Sequence, residues 1–281
     1  MGGTFAEDIV VEPHGEGQYR ATLSHDWDLL ALPQGGIAVS FALRAAAAEV
    51  AQPSCPLRTC TAVFAGPVAA GDLEVDVSVL RRGRSATQTL ATVRNRGQAA
   101  GTTVTAVFGA VRRGPSFVDV APPHVPAPMA CPSYRDDPPE GVQEPDRWPF
   151  WDRVEGRAAL GHARWEEYAP DGSDVGTWLR FDDPPLTPDG ALDPLGVLTL
   201  ADRMPGSVDE RIGRRGDRWF APSADLTVHF CAPARTSWVL AHDRARWAGD
   251  GWASVETTLW DEDGTLVAYA TQVVLFTYPS G

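Results

Sequence analysis

LPQGGIAVSFALRAAAAEV, residues 32–50, is the stretch on which the fold turns. The pair Gly35 and Gly36 opens it. Apolar residues recur at helical spacing through a polyalanine centre, and Pro53 lies just beyond the end. This pattern predicts one helix of about five turns over 33–50. A short strand-like run, 19–24, precedes it. Four more follow, at 59–65, 73–80, 85–95 and 101–111. LEVDVSV and TTVTAVF alternate apolar and polar residues with a period of two, the signature of half-buried strands. Gly66-Pro67, Ala70-Gly71-Asp72, Arg82-Gly83 and Arg96-Gly97 mark the turns between them. A long helix followed by an antiparallel meander predicts a sheet wrapped around one central helix.

The order then repeats. Strand-like material spans 158–182, and a helix is expected over 194–204, ended by Pro205-Gly206. Runs follow at 224–231, 237–245, 252–260 and 266–277, with DEDG at 261–264 as a hairpin turn. Thr61 matches Thr227, Phe64 matches Phe230, Pro67 matches Pro233 and Gly83 matches Gly249, each pair 166 residues apart. Gly97 and Gly264 match with one inserted residue. Matches at one offset, falling at the same points of the same element order, point to an internal duplication. Between the copies, 112–150 is dense in Pro and acid and has no apolar period. Pro suits neither a helix interior nor a central strand, so this segment is expected to run extended over the surface. It divides the chain into units 1–111 and 151–281, each of ordinary domain size.

Composition narrows the partners. The 281 residues carry a formal net charge of −13, and every one of the 24 basic residues is Arg. An acidic chain without a basic run argues against nucleic acid. The start is acidic with no apolar leader core, and 35–51, the longest small and apolar stretch, is broken by Arg44 and Glu49. The expectation is a cytoplasmic chain without a membrane span. Cys55, Cys60, Cys131 and Cys231 show neither CxxC pairing nor zinc-ligand spacing, so free thiols, no metal and no cofactor are expected. GxSxG, GxGxxG and HExxH are absent, and the Walker Lys is impossible in a chain without Lys.

With LPQGGIAVSFALRAAAAEV, FAGPVAAGDLEVDVSVLRRGRSATQTLATV and GTTVTAVF in the first copy, and LGVLTLADRMPG, SADLTVHFCAPA and DGTLVAYATQVVLF in the second, the chain resembles the double-hotdog acyl-CoA thioesterases of the bacterial thioesterase II group. The resemblance covers nearly everything outside the linker. It implies an α+β tandem hotdog, two antiparallel sheets each wrapped around a long central helix, and a homodimer or homotetramer. It also implies hydrolysis of acyl-CoA or a related acyl thioester by an Asp, a hydroxyl residue and a Gln that activate a water. Carried over by position, these are Asp202 in the second helix, Ser223 and Gln272. A slip in the alignment of FCAP would move the hydroxyl to Thr227. A thioester carbonyl needs only an oriented, partly deprotonated water and a set of oxyanion donors. Backbone N–H groups of Gly35 and Gly36 at the start of the first helix are the expected donors.

Each residue has a plainer explanation. Asp202 could be a solvated acid in a last helical turn, where the helix dipole disfavours it. Ser223 could be a turn residue after Pro222, Gln272 could face water from a half-buried strand, and the Gly-Gly could only start a helix. Two other activities stay open: a non-catalytic acyl-thioester binder, since Gly36 stands where the duplication places Asp202, and a hotdog dehydratase using His25 or His229. The usual hydratase string needs an Asn that this chain, with Asn95 alone, does not provide. The Arg clusters 81, 82 and 84, and 211, 214, 215 and 218, could contact CoA phosphates or be solvated faces. Trp148, Trp151, Trp165 and Trp178 could narrow a tunnel or fill a core.

Overall fold

The period-two runs become long antiparallel strands, and the polyalanine run becomes the one long helix among the described residues. A computed structural model describes residues 3–142, 147–163, 165–213 and 219–278. The N-terminal half contains helix α1 (Phe5–Asp8), strands β1 (Glu12–Gly15), β2 (Gln18–Leu23), β3 (Asp28–Leu29) and β4 (Leu32–Pro33), and helix α2 (Gly35–Val50). Strands β5 (Leu57–Phe64), β6 (Gly71–Arg82), β7 (Ala86–Asn95) and β8 (Thr102–Gly109) complete it. The C-terminal half contains α3 (Phe150–Arg153), β9 (Val154–Leu160), β10 (Asp174–Phe181), α4 (Pro194–Ala201) and α5 (Gly206–Ile212). Strands β11 (Asp225–Phe230), β12 (Val239–Gly249), β13 (Trp252–Asp261) and β14 (Leu266–Leu275) end it.

Two sheets, one for each half, are expected; instead the strands of both halves join in one continuous sheet, beside a short β3-β4 hairpin. Among the described residues twelve strands run β1-β2-β6-β7-β8-β5-β11-β14-β13-β12-β10-β9, all antiparallel. The halves join because β5 and β11, which would each be an unpaired edge, satisfy one another's backbone groups. The two edges thus pair with one another inside the chain at this seam. The outer strands of the order are β1, four residues long and carrying Pro13, a weak template for a further strand, and β9, against which Ser133 forms a bridge to Arg157.

The seam is centred on the matched threonines. Thr61 lies opposite Thr227 with their hydroxyls 3.0 Å apart. Other contacts repeat at the same offset of 166. Gly66 N–H donates to Gly101 O at 2.9 Å and Ala232 N–H to Val267 O at 3.3 Å. Gly109 N–H donates to Pro56 O at 2.9 Å and Leu275 N–H to Pro222 O at 3.1 Å.

The second long helix does not form. α4 stops at Ala201, residues 202–205 turn, and α5 begins at Gly206. Pro205 would clash with the carbonyl four residues back and offers no N–H, so the helix breaks there. α2 packs on β6, β7 and β8, and α5 packs on β12, β10 and β13. The counterpart of α2 is therefore α5, not α4. α4 instead packs against α2 itself.

The proline-rich segment lies over the outer face of the C-terminal strands. Trp178, Leu240 and Trp260 form a cross-strand row there. Val125 and Cys131 of the segment pack on that row together with Trp238. Trp178 Nε1–H donates to Pro126 O at 2.9 Å, and Arg157 donates to Cys131 O at 3.0 Å. Positions 166 residues earlier than Leu240 and Trp260 are Glu74 and Arg94, which form a partly exposed ion pair at 3.6 Å. One half thus wears a covered aromatic face and the other a charged bare one. Trp178→Phe is expected to cost about 0.5–1.5 kcal/mol, one net hydrogen bond, measured by urea unfolding; an unchanged midpoint would mean water replaces that bond without loss. Trp151 is buried, while Trp148 and Trp165 are half-buried. Arg82 caps the end of α2 through Val50 O and Glu49 O; Arg214, Arg215 and Arg218 lie outside the described residues. All four cysteines are free, three of them buried. No described helix is long and apolar enough to cross a membrane.

Candidate active site

Three separate elements bring polar side chains to one point beside the start of α2. β14 alternates, with Ala270, Gln272 and Val274 facing the core and their neighbours half-exposed. Gln272 is therefore 2% exposed and does not lie on a wet face. The turn after α4 supplies Asp202, 7% exposed. Ser223, held by a backbone bridge to Val274, supplies a hydroxyl.

Gln272 Nε2 donates to Asp202 Oδ1 at 2.6 Å and to Ser223 Oγ at 2.5 Å. Both amide hydrogens are used, and Oε1 is buried without a protein partner. Ser223 accepts from the amide, so its own proton is available for another acceptor. Asp202 Oδ2 accepts the Gly36 N–H at 2.7 Å. Burial pushes the Asp202 carboxyl above the usual carboxylate range, opposed by the hydrogen bonds from Gln272 and Gly36.

These contacts correct two expectations. Asp202 is not inside a helix but in the turn that follows one, and its carboxylate meets the N-terminus of α2. The dipole of α2 favours it there. Gly36 N–H, expected to be an oxyanion donor, is engaged by Asp202. Gly35 is the first residue of α2, so its N–H has no intrahelical acceptor.

Close approach explains both glycines. A Cβ on Gly35 would sit 2.8 Å from Asp202 Oδ2 and 2.9 Å from the Phe64 ring. On Gly36 it would sit 3.0 Å from Thr199 Cα.

Gln34 is the residue that sequence reasoning missed. It is 3% exposed. Its Nε2 donates to Thr199 O at 2.9 Å and Asp202 O at 2.7 Å, and its Oε1 accepts from Ile37 N–H at 3.2 Å. One side chain thus caps α2 and holds the turn that carries Asp202. The available signal was a polar residue immediately before Gly-Gly, at an N-cap where shorter side chains are usual.

Thr227 stays out of this group. It alternates with buried Leu226 and Val228, and its hydroxyl meets that of Thr61 on the opposite face of the sheet. His229 is exposed and contacts Thr59, and His25 contacts Asp28 at the surface. Among the described residues no cluster of His, Cys, Asp and Glu is arranged to hold a metal ion.

Comparison with known proteins finds two family matches in order along the chain. Residues 23–109 match the acyl-CoA thioesterase N-terminal domain, and residues 128–276 match the acyl-CoA thioesterase C-terminal domain. No curated protein matches. Solved structures similar to the chain include a conserved protein of unknown function with a hot dog fold from Alicyclobacillus acidocaldarius, 23% identical, covering 98% of each chain with a TM-score of 0.81. Another is an acyl-CoA thioesterase II from Mycobacterium marinum, 21% identical, covering 99% of this chain and 100% of that one with a TM-score of 0.77. At such identities the likeness establishes the hotdog fold, with its large antiparallel sheet and few helices.

Proposed function

The chain belongs to the acyl-CoA thioesterase family and is a thioesterase, and from that premise we propose that it hydrolyses acyl-CoA with a water activated by Asp202, Ser223 and Gln272. The observation that carries this assignment is the Gln272 amide, which donates to the other two side chains at 2.6 and 2.5 Å. We also take the chain as a tandem hotdog, with units 1–111 and 151–281. The sheet order and the offset of 166 support that reading.

Asp202 accepts a proton from water as the oxygen attacks the thioester carbon. Its raised pKa makes it a better base than an exposed carboxylate. Gln272 holds the carboxylate, and the Ser223 hydroxyl orients the water. The developing oxyanion faces the start of α2, where Gly35 N–H is the donor we assign. Collapse breaks the C–S bond, and the thiolate leaves with the proton. A dehydratase needs an imidazole at the site, and the hydrogen-bond partners of His25 and His229 lie elsewhere.

Thiol release from a panel of acyl-CoAs tests the assignment. Ser223→Ala is expected to slow release about tenfold, the value of one positioning hydrogen bond, while Ser223→Thr keeps most of the rate. Equal rates for Ala and wild type would remove Ser223 from the mechanism. Gly35→Ala places a methyl against the Asp202 carboxylate, and about a ten- to hundredfold loss is expected from the displaced base. A wild-type rate in that variant would mean the carboxylate position does not matter.

A further inference from the structure

In the N-terminal half, Gly36, Leu57 and Ala106 occupy the places of Asp202, Ser223 and Gln272. Leu57 follows Pro56 as Ser223 follows Pro222, and the backbone bond at each proline repeats. Thr61 pairs with Thr105 as Thr227 pairs with Thr271, which puts Ala106 where Gln272 stands. The acid, the hydroxyl and the amide are all missing from this copy. A cleft of about 490 Å³ nevertheless remains beside Leu57. It lies between the second half of α2 and the start of α4, within the size range of small-molecule sites, roughly 300–1,000 Å³.

Its floor is apolar: Leu43, Val50, Phe108 and Leu195 are buried, and Leu57 is half-buried. Arg44 stands at the rim. Its Nη2 donates to Asp193 Oδ2 at 2.9 Å, while Asp193 Oδ1 accepts the Leu195 N–H that caps α4. Asp193 is thus fixed by α4, and Arg44 spends one of its five N–H donors on it. The others remain for a second carboxylate, in the planar geometry that guanidinium prefers.

We propose that this cleft binds a medium-chain fatty carboxylate without reacting it, the alkyl chain along Leu43, Leu57 and Phe108 and the carboxylate on Arg44. The ligand class rests on the hydrolytic reading of the Asp202 site, whose product is such an acid. The cleft itself rests on the geometry of the N-terminal copy.

Calorimetric titration of the full chain with decanoate tests it, together with NMR of carboxyl-labelled decanoate. Ala47 is exposed and lines the cleft, so Ala47→Trp fills it. A bound decanoate signal is expected that disappears in Ala47→Trp and weakens at least tenfold in Arg44→Gln. Decanol binding should survive Arg44→Gln, and thiol release should be unchanged in both variants. If Ala47→Trp fails to fold, Arg44→Gln decides alone. Decanoate binding that ignores both substitutions overturns the proposal. Binding that responds to both in a chain without thioesterase activity would uphold the cleft and sink the hydrolytic assignment instead.

Discussion

Asp202→Asn is expected to lower thiol release from acyl-CoA by about 10²–10⁴-fold, the usual contribution of a positioned general base, and at the same time to raise the melting temperature. The loss follows from chemistry, because an amide does not accept the proton that water must give up. The gain follows from linkage. Burial raises the folded-state pKa of Asp202 above that of the unfolded chain. The stability this contributes is fully present below the unfolded pKa and is lost as pH rises through the folded one. Above the raised pKa the ionised, buried carboxylate therefore weakens the fold, and Asn carries no such charge. Gln272 Oε1, buried and without a protein partner, can turn to accept from the new amide. The rate of the wild type should fall as pH drops through the raised pKa, and this limb should vanish from whatever rate the variant retains. A variant as active as wild type would sink the assignment of Asp202. A lower melting temperature would mean that the bonds from Gly36 and Gln272 outweigh desolvation.

Gln34→Leu should produce the largest loss of stability. The amide donates to two carbonyls, Thr199 O at 2.9 Å and Asp202 O at 2.7 Å, in a place nearly closed to solvent. Leu fills similar space but leaves both acceptors unsatisfied. At about 1–3 kcal/mol each, the expected cost is about 2–6 kcal/mol, measured as a shift in the denaturant midpoint. Thiol release should fall with it, since the turn that carries Asp202 loses its anchor. An unchanged midpoint would show that the turn is held by packing against α2 alone.

Much of this was legible from residue order. Alternation in LEVDVSV and TTVTAVF and the polyalanine run of α2 are local patterns, written within one element. The 166-residue offset was legible because matched residues fall at matched turns. Asp202, Ser223 and Gln272 were singled out by resemblance, and their convergence depends on the packing of three distant elements. Gln34 escaped because its two acceptors are backbone carbonyls some 165 residues away, and a carbonyl has no letter in a sequence.

The sequence by itself marked β2, the eight meander strands β5–β8 and β11–β14, the first helix and the 166-residue offset, since each follows from side-chain period, propensity or a matched spacing. Only the tertiary structure decided that the two sheets join into one, that α5 and not α4 is the counterpart of α2, and that Asp202 bonds to the start of α2. Those outcomes depend on which unpaired edges and unpaired N–H groups meet when the halves pack together, and no single segment carries that information.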